Sequence, residues 1–292
     1  MKLLVTGSEG QIGRHIVADL ASAHQLVRMD ARELRAPLAE GQAFCQGDLT
    51  DPAVCARAVE GVEAIVHLAA VPHARPPDAY QRNTQGTWNL LTAAARAGVQ
   101  RVAFASSINV YGQGAYKIGQ RVHHPPYLPI DADVPPRPED AYGLSKQANE
   151  QAMRGFSDAC GMRTYCFRLA GVWWPDQTGG YRPHRIHAHW GPHPSRCIDP
   201  WNYVDIRDVA AAFRRFVEMP TPPPFGISYL VADDTTRPEP TMDLLAQYIP
   251  EWVPLAGDRL PGHRPWFSNG DAKRDLGWQP AHTWRSGAAV QT

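Results

Sequence analysis

Short apolar runs alternate with longer stretches in which apolar side chains recur every three or four positions, and this alternation holds through the first 170 residues. A run bounded by turn residues reads as a buried strand, and the three-to-four recurrence as a helix with one apolar face. The pattern predicts strands near 2–6, 25–29, 42–46, 62–68, 100–106 and 163–168, and helices near 11–23, 51–59, 78–97 and 140–159. Strands separated by helices join in parallel. The expected fold class is therefore α/β, a doubly wound parallel sheet covered on both faces, with ligands at the carboxyl ends of its strands. Beyond 170 only a helix at 205–218, a strand near 227–232 and short helices near 241–249 and 269–276 are regular. Residues 1–170 are thus expected to form the sheet domain and 171–292 a small, loop-rich lobe over its mouth, with helix 205–218 packing back on the sheet domain.

The first strand-to-helix junction, Leu3–Gly13, reads LLVTGSEGQIG. Glycines at 7, 10 and 13 permit a tight turn with positive φ and a close backbone approach. The helix that opens at Gln11 and Ile12 aims unpaired N–H groups and its positive dipole end at the turn. Such a turn can hold a diphosphate, or be a turn and nothing more; the next strand supplies the context. That strand ends in Asp30, where a carboxylate can accept both hydroxyl protons of an adenosine ribose and repel a 2′-phosphate. The fold class is then of Rossmann type and the expected cofactor NAD rather than NADP, although Arg32 and Arg35 stand near enough to serve a phosphate.

Composition narrows the partners. The chain has 292 residues, with 29 lysines plus arginines against 29 aspartates plus glutamates, so no global field directs it to nucleic acid or membrane. No apolar run approaches the roughly 20 residues of a membrane span, and the N-terminus reads as a strand rather than a signal peptide. Five cysteines without a CxxC spacing suit free thiols in a reducing compartment, so a cytoplasmic location is expected.

Tyr142 and Lys146 lie four apart in YGLSK and share one face of the helix predicted at 140–159. A phenol near its ordinary pKa of about 10 is a poor base at neutral pH; an adjacent ammonium and a positive nicotinamide favour the phenolate. Tyr142 can then take the proton of a substrate hydroxyl while hydride leaves for NAD. Ser107, at the carboxyl end of the strand in QRVAFASSINVYG, can hydrogen-bond the reacting oxygen and the phenol; alternatively, Ser106 and Ser107 only cap a strand edge.

TGSEGQIG, Asp30, Asp48-Leu49, His67-Leu68-Ala69-Ala70, Asn83 with Gly86-Thr87, SSINVYG and YGLSK occur in the order and spacing of the extended short-chain dehydrogenases/reductases. These are the NAD-dependent sugar epimerases, dehydratases and related oxidoreductases. The chain resembles them strongly over 1–172 and more weakly through Tyr203–Val209 and Asp275–Pro280. The resemblance implies that Ser107, Tyr142 and Lys146 are the catalytic set and that Gly7, Gly10, Gln11, Ile12, Gly13 and Asp30 bind the cofactor. It also implies that Asp48 and Leu49 hold the adenine edge, and that Leu68, Ala69 and Ala70 line the cofactor's path. Asn83 would brace the active site, and Ala170 would face the nicotinamide beside Tyr142 and Lys146. Family members often pair the helices matching 78–97 and 140–159 between two subunits, so a homodimer is expected.

Two departures bear on the reaction. Sugar-nucleotide 4,6-dehydratases resembling this chain carry an Asp-Glu pair after the catalytic Ser/Thr, as acid and base for water loss. Here those positions are Ile108 and Asn109, which shuttle no proton. The segment between 172 and 203 is short beside relatives that bind nucleoside diphosphates, and 181–203 reads YRPHRIHAHWGPHPSRCIDPWNY. A smaller ligand suits it: a free sugar, sugar acid or nucleoside. The candidate substrate residues are Ser107, Asn109, Trp173, His184 and Arg185. His184, His187, His189 and His193 offer imidazoles for zinc, but no cysteine or carboxylate stands at ligand spacing, so no metal is expected. The expected function is an epimerase/dehydratase-type oxidation of a sugar-like secondary hydroxyl, with hydride returned. The alternative is a simple NAD-dependent sugar or sugar-acid dehydrogenase that releases NADH. A non-catalytic NAD(H)-binding regulator is a third reading, against which the intact Ser107, Tyr142 and Lys146 speak.

Overall fold

The apolar runs lie side by side. The computed structural model describes residues 1–72, 78–112, 123–175 and 201–286. Its strands are β1 (Lys2–Thr6), β2 (Gln25–Asp30), β3 (Gln42–Gln46), β4 (Ala64–His67), β5 (Arg101–Ser107), β6 (Arg163–Leu169), β7 (Gly171–Trp173), β8 (Tyr203–Asp205) and β9 (Phe225–Leu230). Seven of them form one sheet in the order β3-β2-β1-β4-β5-β6-β9, every neighbouring pair parallel. The helices are α1 (Gln11–Leu20), α2 (Pro52–Ala58), α3 (Ala79–Ala97), α4 (Ala141–Cys160), α5 (Ile206–Glu218), α6 (Thr241–Tyr248), α7 (Val253–Ala256) and α8 (Gly270–Leu276).

Helices cover both faces of the sheet, so its central strands are buried on both sides and read as unbroken apolar runs rather than as an alternation. Leu3 and Val5 of β1 face a layer built from Ile16 of α1 and Phe213 and Phe216 of α5. Leu4, between them, faces Leu90 and Leu91 of α3 and Met153 of α4. Burying each such side chain is worth about 1.5–3 kcal/mol. Truncating Phe213, which is fully enclosed, would cost about 3–5 kcal/mol. Helix α5 packs beside α1, in the same apolar layer.

Capping residues set the helix ends. The Asp140 side chain accepts the Gly143 N–H at 2.7 Å to start α4, and Gly161, at φ 68°, ends it. Asp205 accepts the Arg207 N–H at 2.7 Å to start α5.

The C-terminal part differs from expectation in three respects. The strand expected near 227–232 runs Phe225–Leu230 and is the edge strand of the main sheet, so it is not confined to the lobe. β7 and β8 form a separate two-stranded parallel pair that residue patterning did not reveal. The lobe's core is also shared across position 170. Tyr111, Leu128 and Ile130 pack with Trp201, Trp252, Trp266 and Phe267. No helix among the described residues is long and apolar enough to cross a membrane.

Candidate active site

Successive strands are added on one side of β1 through β2 and β3 and then on its other side from β4 onward, and such a switch point leaves a crevice at the carboxyl ends of the strands. A cleft of about 610 Å³ lies there. Every cofactor-binding residue expected from the sequence, from Gly7 through Ala170, borders it, and so do Ser107, Tyr142 and Lys146.

The near wall is main chain. Gly7 has φ 70°, and a Cβ on it would stand 2.8 Å from Ala69 N; a Cβ on Gly13 would stand 2.1 Å from the Gly7 carbonyl oxygen. Those two positions exclude a side chain, which lets the α1 backbone close onto β1 and β4. Helix α1 has no side-chain N-cap and no acidic residue in its first turn. Its first N–H groups and positive dipole end are left to an anion, as a diphosphate requires.

Asp30 ends β2 with its side chain buried. Oδ2 accepts Glu9 N–H at 2.9 Å and Arg32 Nη2 at 3.0 Å, and Oδ1 accepts Arg32 N–H at 3.0 Å and Nε at 2.9 Å. Burial works to raise the carboxyl's pKa, but the hydrogen bonds from Arg32 and Glu9 outweigh it and hold it below its ordinary value. Asp48, which also borders the cleft, is likewise held low, chiefly by the Thr50 N–H at 2.9 Å and then, against burial, by the Thr50 hydroxyl and Arg82.

The far wall is side chain. Lys146 is fully buried, its Nζ donating to Ala105 O at 2.6 Å and lying 5.5 Å from the Tyr142 ring centre. Ser107 hydrogen-bonds the Tyr142 hydroxyl, which lowers that phenol's pKa, but burial prevails and pushes it up to about 12. Burial also pushes Lys146 down to about 7, against the pull of Glu150. Within the protein alone, desolvation therefore outweighs the lysine's expected help to the phenolate.

Asn83 braces this wall. Its Oδ1 accepts Val71 N–H at 2.7 Å, and its Nδ2 donates to Ser145 Oγ at 3.0 Å; Ser145 donates in turn to the Tyr142 carbonyl at 2.7 Å.

Sequence reasoning missed three features. The first is a chain through His67, where the Leu68 and Ala69 N–H groups donate to Thr6 Oγ1, which lies 2.7 Å from His67 Nδ1. His67 Nε2 lies 3.0 Å from Thr87 Oγ1, which donates to the Asn83 carbonyl at 2.9 Å. This order makes Thr6 the donor to Nδ1 and leaves the proton on Nε2. Burial, with Lys146 nearby, pushes His67 down to about 3, so the ring is neutral.

The second is the buried Glu150–Arg168 pair, bonded at 2.8 and 3.0 Å, with Ser106 donating to Glu150 at 2.6 Å. It occupies Ser106, one residue from Ser107. The i, i+4, i+8 spacing of Tyr142, Lys146 and Glu150 on α4 was the available signal. The third is the engagement of Asp30 by Arg32, a residue the sequence placed near a phosphate and the structure lays across this carboxylate inside the cleft.

The substrate candidates divide. Ser107 borders the cleft. Asn109 follows it in a 3₁₀ turn, its N–H donating to Ser107 Oγ at 3.2 Å. Trp173 packs 5.0 Å from the Tyr203 ring, and Trp174, one residue on, is the indole at the cleft wall. His184 and Arg185, with His187, His189 and His193, lie outside the described residues. Among the described residues no group of three or more His, Cys, Asp or Glu side chains is placed to hold a metal ion.

The family model described as "NAD dependent epimerase/dehydratase family" matches residues 3–232. The chain is 34% identical to an L-arabinose 1-dehydrogenase (NAD(P)(+)) of Haloferax volcanii, over 58% of this chain and 66% of that protein. It is 34% identical to a uronate dehydrogenase of Pseudomonas syringae pv. tomato, over 58% of each. The matches thus span less than two thirds of either relative's length. A crystal structure of uronate dehydrogenase from Agrobacterium tumefaciens shares the fold, with a TM-score of 0.66 at 24% identity over 98% of this chain and 86% of that one. The chain belongs to the NAD dependent epimerase/dehydratase family.

Proposed function

We propose that this member of the NAD dependent epimerase/dehydratase family oxidises a secondary hydroxyl of a sugar-like substrate by hydride transfer to NAD. The observation that carries the reading is the convergence of Ser107 from β5 with Tyr142 and Lys146 from α4 on one cleft. NAD, when bound, accepts the hydride and sets a positive nicotinamide near the phenol.

The residues present fit that cofactor. The glycine turn and the N–H groups of Gln11, Ile12 and Gly13 would hold the diphosphate, Asp30 the adenosine ribose, and Asp48 and Leu49 the adenine edge. Leu68, Ala69, Ala70 and Ala170 line the way to the catalytic wall, where Lys146 would hold the second ribose and Asn83 fixes the backbone. Tyr142 Oη takes the substrate hydroxyl proton, and Ser107 Oγ hydrogen-bonds the same oxygen. Tyr142 must be the phenolate before it takes that proton and becomes the phenol by taking it, and the Lys146 ammonium stabilises the phenolate beforehand. Residues 1–170 carry this machinery, and 171–292, with Asn109, Trp173, His184 and Arg185 as candidates, supply the substrate side.

The fate of the hydride separates two readings. Return to the sugar gives an epimerase or dehydratase, the reading drawn from the family motifs. Release as NADH gives a dehydrogenase, which is supported by two relatives named as dehydrogenases of a sugar and of uronates. A homodimer through α3 and α4 is supported by their exposed Tyr80, Trp88 and Leu144. A cytoplasmic location is supported by the free thiols of Cys45, Cys55, Cys160 and Cys166.

Incubation with NAD⁺ and panels of sugars, sugar acids, sugar nucleotides and nucleosides, read by NADH absorbance and product mass, tests the reading. NADH accumulation identifies a dehydrogenase, unchanged mass with altered stereochemistry an epimerase, and loss of water a dehydratase. Full activity in Tyr142→Phe would sink the mechanism.

A further inference from the structure

Lys146 is a cation buried away from water, and burial disfavours its charged form. Its Nζ donates to the Ala105 carbonyl at 2.6 Å and lies 4.7 Å from the centre of the Phe104 ring, both on β5. A carbonyl dipole and a ring face attract a cation without neutralising it. The titratable and charged groups set around it are Tyr142 and Glu150 on its own helix, His67 on β4, and Cys166 and Arg168 on β6. Burial keeps the phenol, the imidazole and the thiol uncharged. The remaining charges nearby have other partners. Arg82 on α3 is paired with Asp48, Arg154 lies over the Phe225 ring, and Asp140 caps the Gly143 N–H and acts on Tyr142. The carboxylate left to support the Lys146 charge is Glu150.

Glu150 lies one helical turn from Lys146 on the same face of α4, and its oxygens are held from other elements. Oε1 accepts Ser106 Oγ at 2.6 Å and Arg168 Nε at 3.0 Å, and Oε2 accepts Arg168 Nη2 at 2.8 Å. Both side chains of the ion pair are 1% exposed. Ser106 is the residue after Ala105, so the same carboxylate fixes the strand end whose carbonyl receives Nζ. Replacing a buried ion pair by apolar side chains is often neutral or stabilising, so stability alone gives no reason for this one.

We propose that Glu150 is a positioning residue for the oxidation: clamped by Arg168 and Ser106, it keeps Lys146 an ammonium seated on the Ala105 carbonyl. This rests on the assignment of Lys146 to the catalytic set. The Arg168 guanidinium offsets part of the carboxylate's field and contributes the grip that fixes it. Ser106 transmits the same grip to β5, next to Ser107.

A pH titration of the full chain, followed by NMR of isotopically labelled lysine side chains, tests this without substrate or cofactor. The lysines to be told apart are Lys2, Lys117, Lys146 and Lys273, and Lys146→Met identifies the signal by its loss. In the parent that signal should titrate at about pH 7. In Glu150→Gln its midpoint should fall by about one pH unit or more, a tenfold weaker hold on the proton. Glu150→Gln also strands the Arg168 charge, so Glu150→Gln with Arg168→Met removes both; its midpoint should still lie below the parent's. An unchanged midpoint in Glu150→Gln overturns the inference. So does a double variant that returns to the parent's midpoint, because the stranded guanidinium then explains the shift. Full activity in Lys146→Met, on a substrate found with the panels above, overturns the catalytic reading and the role of Glu150 with it, whatever the titration gives.

Discussion

At one end of the cleft the wall is main chain, and at the other it is side chain. The end proposed for the diphosphate consists of glycines at 7 and 13 that admit no Cβ, and of uncapped N–H groups at the start of α1. The end proposed for catalysis consists of Ser107, Tyr142 and Lys146, with Asn83 bonded through Ser145 to the Tyr142 carbonyl, and it is enclosed deeply enough to displace the pKa of both titratable members. The first end works by fixed partial charges that lose nothing on burial, because helix and turn geometry already orient them. The second must desolvate groups that have to change charge, and desolvation opposes the charged forms. Geometry limits one end and charge the other.

Substitutions can break that contrast. The largest effect is expected at the side-chain end: Tyr142→Phe should lower kcat by about 10³-fold. NAD⁺ affinity, measured by calorimetry, should move by no more than a few fold. Equal losses in turnover and affinity would show that the two ends are not separable. The main-chain end should fail structurally instead. Gly13→Ala places a Cβ 2.1 Å from the Gly7 carbonyl oxygen, and should cost about 3 kcal/mol in urea unfolding together with cofactor affinity. Unaltered stability there would mean that the turn relaxes freely.

His67 joins the two ends and gives a graded test. The unfolded chain protonates it near pH 6.5, whereas the folded chain holds it neutral down to about 3. Its folded pKa is depressed, so its contribution to stability is lost as pH falls from about 6.5 toward 3. The slope is at most about 1.4 kcal/mol per pH unit. His67→Gln should flatten that part of the stability profile relative to the parent, and parallel profiles would contradict it. The smallest effect is expected away from the cleft. Trp88, 55% exposed on α3, can go to Glu at about 0.5 kcal/mol or less in protomer stability. Sedimentation should show the parent as the proposed homodimer and this variant as a monomer, and a dimer in both would remove α3 from the interface.

The main-chain end was legible because its signals are local. Thr6 to Gly13 is one strand, one turn and one helix start, and Asp30 falls at the end of the next strand. The YGLSK spacing likewise places Tyr142 and Lys146 on one helix face. Glu150, at the same spacing again, was passed over because its partner Arg168 lies on β6 and Ser106 on β5. The choice between Trp173 and Trp174 was equally hidden. Neighbouring residues diverge after β7, and only the pairing of β7 with β8 sends Trp173 to Tyr203 and leaves Trp174 at the cleft.

The sequence by itself determined the parallel sheet, the glycine turn and the Ser/Tyr/Lys set, because periodicity, positive-φ positions and helical spacing act over a few residues. Only the tertiary structure decided that β9 closes the sheet, that Arg32 occupies Asp30, and that desolvation governs Tyr142 and Lys146. Each of these depends on which distant segments are brought into contact and on how much water that contact removes, and neither is written in any short stretch of chain.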